Sequence, residues 1–222
     1  MYIMTQPSKT DRATLLHAAM ELLAQGGLQG VSIRSVAGEV GLAPNAMYHY
    51  FTNREHLHTA VASEVAAMLH GALAKACHGK GPEASIRSLA EAYLAFARDH
   101  RLLYEALVVP RPASGDDAVA PELLWRFVVA QVSTVSGEAM SHRAAVSIWA
   151  LLHGMAALQS AGAFNEEIPF SSLEFGLDAW LTAAHAAKAK EAETRKGMTR
   201  SSRQASRQES KTQETKTTED IR

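Results

Sequence analysis

Apolar residues recur at spacings of three and four along most of the chain, the period of helices with one buried face. From Thr10 to Gln25, Leu15, Ala19, Leu22 and Leu23 share a face, and Gly26 and Gly27 supply a stop. Ser32 suits the N-cap of a short helix from Ile33 to Val40, halted by Gly41. Pro44 suits the first position of a second short helix running to about Tyr50. Thr52 and Glu55 read as a capping box ahead of a long helix carrying Leu57, Val61, Val65, Met68 and Ala72 and ending near Gly79. Further helices fit residues 83–100, 102–108, 121–136, 141–161 and 172–190, the last opened by a second capping box at Ser171 and Glu174. Pro82, Pro110, Pro112, Pro121 and Pro169 fall between these segments or at their starts. β-branched residues are scattered rather than clustered, so the expected class is all-α.

The 222 residues suffice for one large or two modest domains. The net charge of −1 hides an uneven distribution. Counted as Lys+Arg against Asp+Glu, residues 1–60 carry 4 and 4, residues 61–187 carry 8 and 13, and residues 188–222 carry 10 and 6. The middle is acidic and the tail basic, while the first sixty residues are neutral, so charge alone does not suggest nucleic acid. From Gly197 on, almost no apolar residues occur, and residues 196–222 are expected to be a disordered polar tail. Electrostatic help to DNA binding from Arg195, Lys196, Arg200, Arg203 and Arg207 would be blind to sequence.

Between Arg143 and Glu166 there is no Asp, Glu, Lys or Arg, a stretch long enough to span a bilayer. It contains Ser147, His153, Gln159 and Ser160 and much alanine, so a helix covered on two sides is expected and no membrane partner. One stripe is Ile148, Leu151, Leu152, Met155 and Leu158, and the other Val146, Trp149, His153, Ala156 and Ser160. Cys77 is the single cysteine, which rules out an internal disulfide and suits a reducing cytoplasm. No apolar run between Met1 and Lys9 reads as a signal peptide. The ten histidines show no H-x-E or HExxH spacing, and His56 and His58 point to different faces, so neither metal site, cofactor nor catalytic residue is expected.

Function is carried by residues 32–51, SIRSVAGEVGLAPNAMYHYF. Two short helices joined by a glycine-containing turn have the layout of a helix-turn-helix. Val36, Ala37, Val40, Leu42 and Met47 would form the apolar knot that sets the interhelical angle. The second helix would then show Asn45, Ala46 and His49 to a major groove wide enough to admit it.

This segment, with TNREHL after it, resembles the TetR-type transcriptional regulators over residues 10–60. The resemblance implies base-edge contacts from Asn45, Ala46 and His49, and backbone contacts from Tyr48 and Tyr50. It also implies phosphate contacts from Ser32 and Arg34, with Arg54 at the start of the fourth helix. Ala43 stands where the family usually has Ser or Thr, and Arg54 where it usually has Lys. WALLHG (149–154) and HRLLY (100–104) look like the tryptophan–histidine–glycine class of C-terminal domains. The implied architecture is a helix-turn-helix DNA-binding domain at 1–55 and a helical ligand-binding and dimerisation domain at 56–195. Helices near 141–161 and 172–190 would form a homodimer interface, with Gly154 and Gly162 allowing close approach, and the DNA partner would be a near-palindromic double-stranded operator.

An unidentified small-molecule effector would be met by aromatic and polar residues of the second domain, for which Phe96, His100, Tyr104, Trp125, Trp149 and His153 are the candidates. The expected function is a ligand-released repressor. Two alternatives are a DNA-binding architectural protein without ligand control and a helical enzyme using a histidine in its pocket.

Overall fold

The computed structural model describes residues 11–108, 115–163 and 170–219, with the side chains of the last helix described from 172 to 199. Every long element is helical: α1 Arg12–Gly30, α2 Ile33–Glu39, α3 Pro44–Met47, α4 Arg54–Cys77, α5 Pro82–Asp99, α6 Arg101–Val108, α7 Val119–Ser136, α8 Ser141–Ser160 and α9 Phe170–Glu219. A 3-10 turn at Gly115–Ala118 leads into α7.

Asp11 starts α1 by accepting the Thr14 N–H, and Gly27 kinks it at φ +64, a conformation open to glycine. A Cβ on Gly27 would also sit 3.4 Å from Leu102 Cδ2, which places α6 against this kink. The head is α1–α3 folded over Leu15, Ala19, Leu23, Val36, Ala37, Met47 and Phe51, all fully buried. Its floor is the first turns of α4 through Leu57 and Val61. The boundary expected at 55/56 falls inside the first turn of α4, a helix continuous from the head into the body.

Three local expectations differ from what is seen. Asn53, not Thr52, caps α4, its side chain accepting the His56 N–H at 2.7 Å. Met68 lies outside the core while Leu69 and Leu73 are fully buried, because α4 is covered by α5 and α7 as well as by α1 and α6. Residues 196–219, expected as a disordered tail, continue α9 as helix. Gln, Lys, Arg and Glu are good helix formers, and no proline interrupts the chain after Pro169. Pro110, Pro112, Ser171 and residues 220–222 lie outside the described residues or side chains.

The body is closed by α8 and α9. On α8, Ala145, Ile148, Leu152 and Ala156 face inward, and on α9 Leu173, Leu177, Leu181 and Ala184 do so. Trp180 Nε1 donates to Ser147 Oγ at 2.8 Å, and Gly176 lets α9 approach Leu151 at a distance where a Cβ would be 3.2 Å from Cδ2. Within the chain the close approach is therefore made at Gly176; a Cβ on Gly154 or Gly162 would meet nothing. The second stripe read on α8 divides. Trp149 and His153 are half-buried and make contacts inside the body, whereas Val146, with Leu158 of the other stripe, is exposed, as is Phe175 of α9. No helix among the described residues is long and apolar enough to cross a membrane.

Candidate nucleic-acid interface

The turn between α2 and α3 is set by Gly41 at φ +70, and the Leu42 N–H donates to Ala37 O at 2.8 Å. Ala37 is small enough for α3 to cross close by, and Met47 inserts beneath it, both without exposure. Ser32 caps α2, its hydroxyl accepting the Ser35 N–H at 3.0 Å while Ser35 Oγ accepts the Ser32 N–H at 2.9 Å. This reciprocal pair, a Ser-x-x-Ser capping box, was legible in the spacing but was not expected. Ala43 gives α3 no side-chain cap, as its methyl dictates, and Pro44 starts the helix. After Met47 the chain continues as turns, with the Tyr50 and Phe51 N–H groups both donating to Met47 O at 2.9 Å.

Among the expected DNA-contacting residues, Arg34, Asn45, Tyr48 and His49 are exposed on this surface, and Ser32, Ala46 and Tyr50 are half-buried. Tyr50 packs against the core, so its ring has less freedom to reach outward than Tyr48. Arg54 is turned back onto the end of α1: Nε donates to Val31 O at 3.3 Å and a terminal nitrogen to Leu28 O at 3.4 Å. His58 Nε2 lies 2.8 Å from the same Val31 carbonyl. In this arrangement Arg54 shares two carbonyls at a helix end, Leu28 O with the Val31 N–H and Val31 O with His58, so a phosphate would have to compete with them.

The effector candidates separate into two groups. Tyr104, Trp125, Trp149 and His153 are joined through Tyr93, an interior aromatic outside the six effector candidates. Ring pairs run Trp125–Trp149 (6.3 Å), Trp149–Tyr93 (5.3 Å), Tyr93–Tyr104 (5.8 Å) and Tyr104–His153 (6.1 Å). A hydrogen-bond chain threads them, Tyr93 OH to Tyr104 OH at 2.9 Å and Tyr104 OH to His153 Nδ1 at 2.7 Å. Tyr93 is 1% exposed, and every buried hydroxyl hydrogen finds an acceptor only if Tyr93 donates to Tyr104 and Tyr104 donates to His153. His153 is then neutral with its hydrogen on Nε2. Burial pushes both phenols above their ordinary range, at Tyr93 with the neighbouring Tyr104 adding to it, so neither becomes a phenolate near neutrality. Phe96 and His100 pair with each other at 4.9 Å, and His100 is exposed at the end of α5 rather than inside this cluster. No group of three or more His, Cys, Asp or Glu side chains among the described residues could hold a metal.

Comparison with known proteins agrees with this architecture. Residues 15–61 match the family described as bacterial regulatory proteins, tetR family, and residues 86–180 match the tetracyclin repressor-like C-terminal domain. The chain is 23% identical to the uncharacterized HTH-type transcriptional regulator YobS of Bacillus subtilis, over 76% of this chain and 89% of that protein. A protein of unknown function from Rhodococcus sp. RHA1 superposes with a TM-score of 0.61 at 26% identity, covering 84% of this chain and 98% of that one. A TetR variant from Acinetobacter baumannii AYE in complex with minocycline shares the fold at 20% identity and a TM-score of 0.60, over 81% of this chain and 95% of that one. With a helix-turn-helix head on a helical body, and with both parts matched to one family across more than half its length, this chain belongs to the TetR family and is a DNA-binding transcriptional regulator.

Proposed function

We propose that the protein acts in the cytoplasm as a homodimeric repressor that leaves a near-palindromic operator when a small molecule enters the helical body. The observation that carries the DNA part is the presentation of α3. Met47 and Ala37 are fully buried on its inner side, while Asn45, Tyr48 and His49 stand exposed on α3 and the turn that follows it. In this reading Asn45, Ala46 and His49 meet base edges, and Tyr48, Tyr50, Ser32 and Arg34 meet the backbone. Arg54 joins them only by leaving the carbonyls of Leu28 and Val31.

Dimerisation through α8 and α9 is supported by their outward apolar residues. Val146 is 58% exposed, Leu158 48% and Phe175 79%, a cost in water that a second copy would remove. Effector binding is supported by the aromatic group around the Tyr93–Tyr104–His153 chain, apolar walls with a few oriented polar atoms. The WALLHG segment, whose Trp149 and His153 both belong to that group, supports the tryptophan–histidine–glycine class.

Footprinting on the DNA upstream of the protein's own gene, with a non-specific competitor and a salt series, tests the reading. Protection of a short near-palindrome that survives competitor is expected. Binding that is weak everywhere and erased by moderate salt would refute it.

A further inference from the structure

Asp117 is the only carboxylate among the described residues that is nearly inaccessible, at 6% exposure. It belongs to the body, on the 3-10 turn that leads into α7, yet both of its partners belong to the head end of the molecule. Oδ1 receives the guanidinium of Arg12, the first residue of α1, at 2.5 Å. Oδ2 lies 3.3 Å from Nε2 of His56 in the first turn of α4.

The ring orientation of His56 is fixed from its other side. Its Nδ1 accepts the Thr52 backbone N–H at 3.2 Å, which puts the ring hydrogen on Nε2, aimed at Asp117. Arg12 and His56 also enclose Phe51. The guanidinium carbon of Arg12 is 5.3 Å from the Phe51 ring centroid, and the His56 ring meets Phe51 edge-on at 5.7 Å and 73°. Phe51 is fully buried and its N–H closes the recognition segment onto Met47 O. Contacts thus run without a break from the body turn through one carboxylate and two donors to the residue that ends the recognition segment.

We propose that Asp117 is a positioning residue that fixes the orientation of the DNA-binding head on the body. One acceptor group with its two oxygens engaged by two different elements constrains an angle as well as a distance. In a dimer that angle sets the separation and tilt of the two recognition segments, and with them the half-site spacing that can be bound. The consequence for DNA rests on the regulator reading above; the tether itself does not.

The test uses full-length Asp117→Asn, Arg12→Gln and the double variant, each read by thermal melting, hydrogen exchange and DNA binding. Hydrogen exchange of α1–α3 amides in Asp117→Asn should rise about tenfold while that of α7 and α8 stays unchanged, the pattern of local rather than global opening. The double variant should exchange well below the product of the two single effects, since Arg12 acts mainly through the carboxylate and only its contact over the Phe51 ring is separate. On operators selected from random DNA, the preference for the selected half-site spacing over a spacing one base pair longer should shrink about tenfold. Exchange that rises equally in head and body, or that does not change in α1–α3, would overturn the tether and leave Asp117 an ordinary stabilising residue. If wild type selects no operator at all, the regulator reading fails while the exchange data still decide the tether. Altered exchange with an unaltered spacing preference would overturn the role in positioning.

Discussion

The order of donors in the Tyr93–Tyr104–His153 chain makes a quantitative prediction. Tyr93 stands at the donor end, 1% exposed, and its only hydrogen-bond partner among the described residues is the Tyr104 hydroxyl at 2.9 Å. Tyr104→Phe removes that acceptor and leaves a phenol hydrogen buried without a partner, a cost of about 1–3 kcal/mol. The acceptor it also frees, Nδ1 of His153, belongs to a half-buried ring that water can reach, and so adds little. Tyr93→Phe removes the terminal donor but leaves Tyr104 bonded to His153 at 2.7 Å, so it should cost only about 0.5–1 kcal/mol, the net worth of one neutral hydrogen bond. The double variant carries no orphan. It should therefore be more stable than Tyr104→Phe alone, by about 1 kcal/mol, which is the opposite of additivity. Urea unfolding at one fixed protein concentration measures all three, the fixed concentration being needed because dimer dissociation contributes to stability. Equal losses for the two single variants, or a double variant as destabilised as their sum, would refute the donor order and the neutral Nε2–H form of His153 that follows from it.

Four further outcomes follow from the geometry. His49→Ala should lower operator affinity by roughly tenfold, the scale of one lost base contact, without moving the melting temperature, and a filter-binding titration reads both specific and competitor DNA. Met47→Ala should cost about 2–5 kcal/mol of unfolding free energy, because its fully buried side chain is the knot under α3, and DNA binding should fall with it. Phe175→Glu should shift the protein toward monomer in sedimentation, since on the proposed α8–α9 interface it would set a carboxylate in place of the exposed ring. Stability should decline on the alkaline side: the raised Tyr93 and Tyr104 values mean their contribution is full below the ordinary tyrosine value of about 10 and is lost as pH climbs beyond it. The Tyr93→Phe/Tyr104→Phe variant should show a flatter alkaline limb in the same measurement.

The elements legible in the sequence were those written by neighbours. Ser32 before an apolar run, Gly41 in the turn and Pro44 at a helix start each act over a few residues, and α2, the turn and α3 follow them closely. The helix-turn-helix knot was legible for the same reason, as Val36, Ala37 and Met47 are close in sequence as well as in space. Where several side chains compete for one local role, reading from spacing failed. Thr52 and Asn53 both suit an N-cap, and Asn53 holds the position because Thr52 instead bonds the His56 ring.

Direct bonds between residues far apart in sequence could not be read from spacing, even where, as for Tyr104 and His153, both residues were candidates for one site, and they carry most of what is specific to this chain. Tyr104 and His153 are 49 positions apart and Arg12 and Asp117 are 105 apart, so no spacing rule relates either pair. The exposed His100 shows the converse: it sits beside Tyr104 in a matching motif, yet the helix break between α5 and α6 turns it toward solvent. Arg54 shows how a single charged residue can be read correctly for type and still be engaged elsewhere, since its guanidinium meets two carbonyls 23 and 26 residues earlier. These long-range pairs have a common placement. Each joins elements that must keep a fixed relation if an event in the body is to be felt at α3: α6 with α8 at the aromatic group, the 3-10 turn with α1 and α4 at Asp117, and α4 with the end of α1 at Arg54. A ligand that moved α6 would be felt first at the kink of α1, where Leu102 stands against Gly27. Any transfer of a ligand's effect to the head is therefore best sought in the few links that join head and body, at Leu102–Gly27 and at Asp117, because the apolar core of α4 runs continuously through both and offers no comparable point of release.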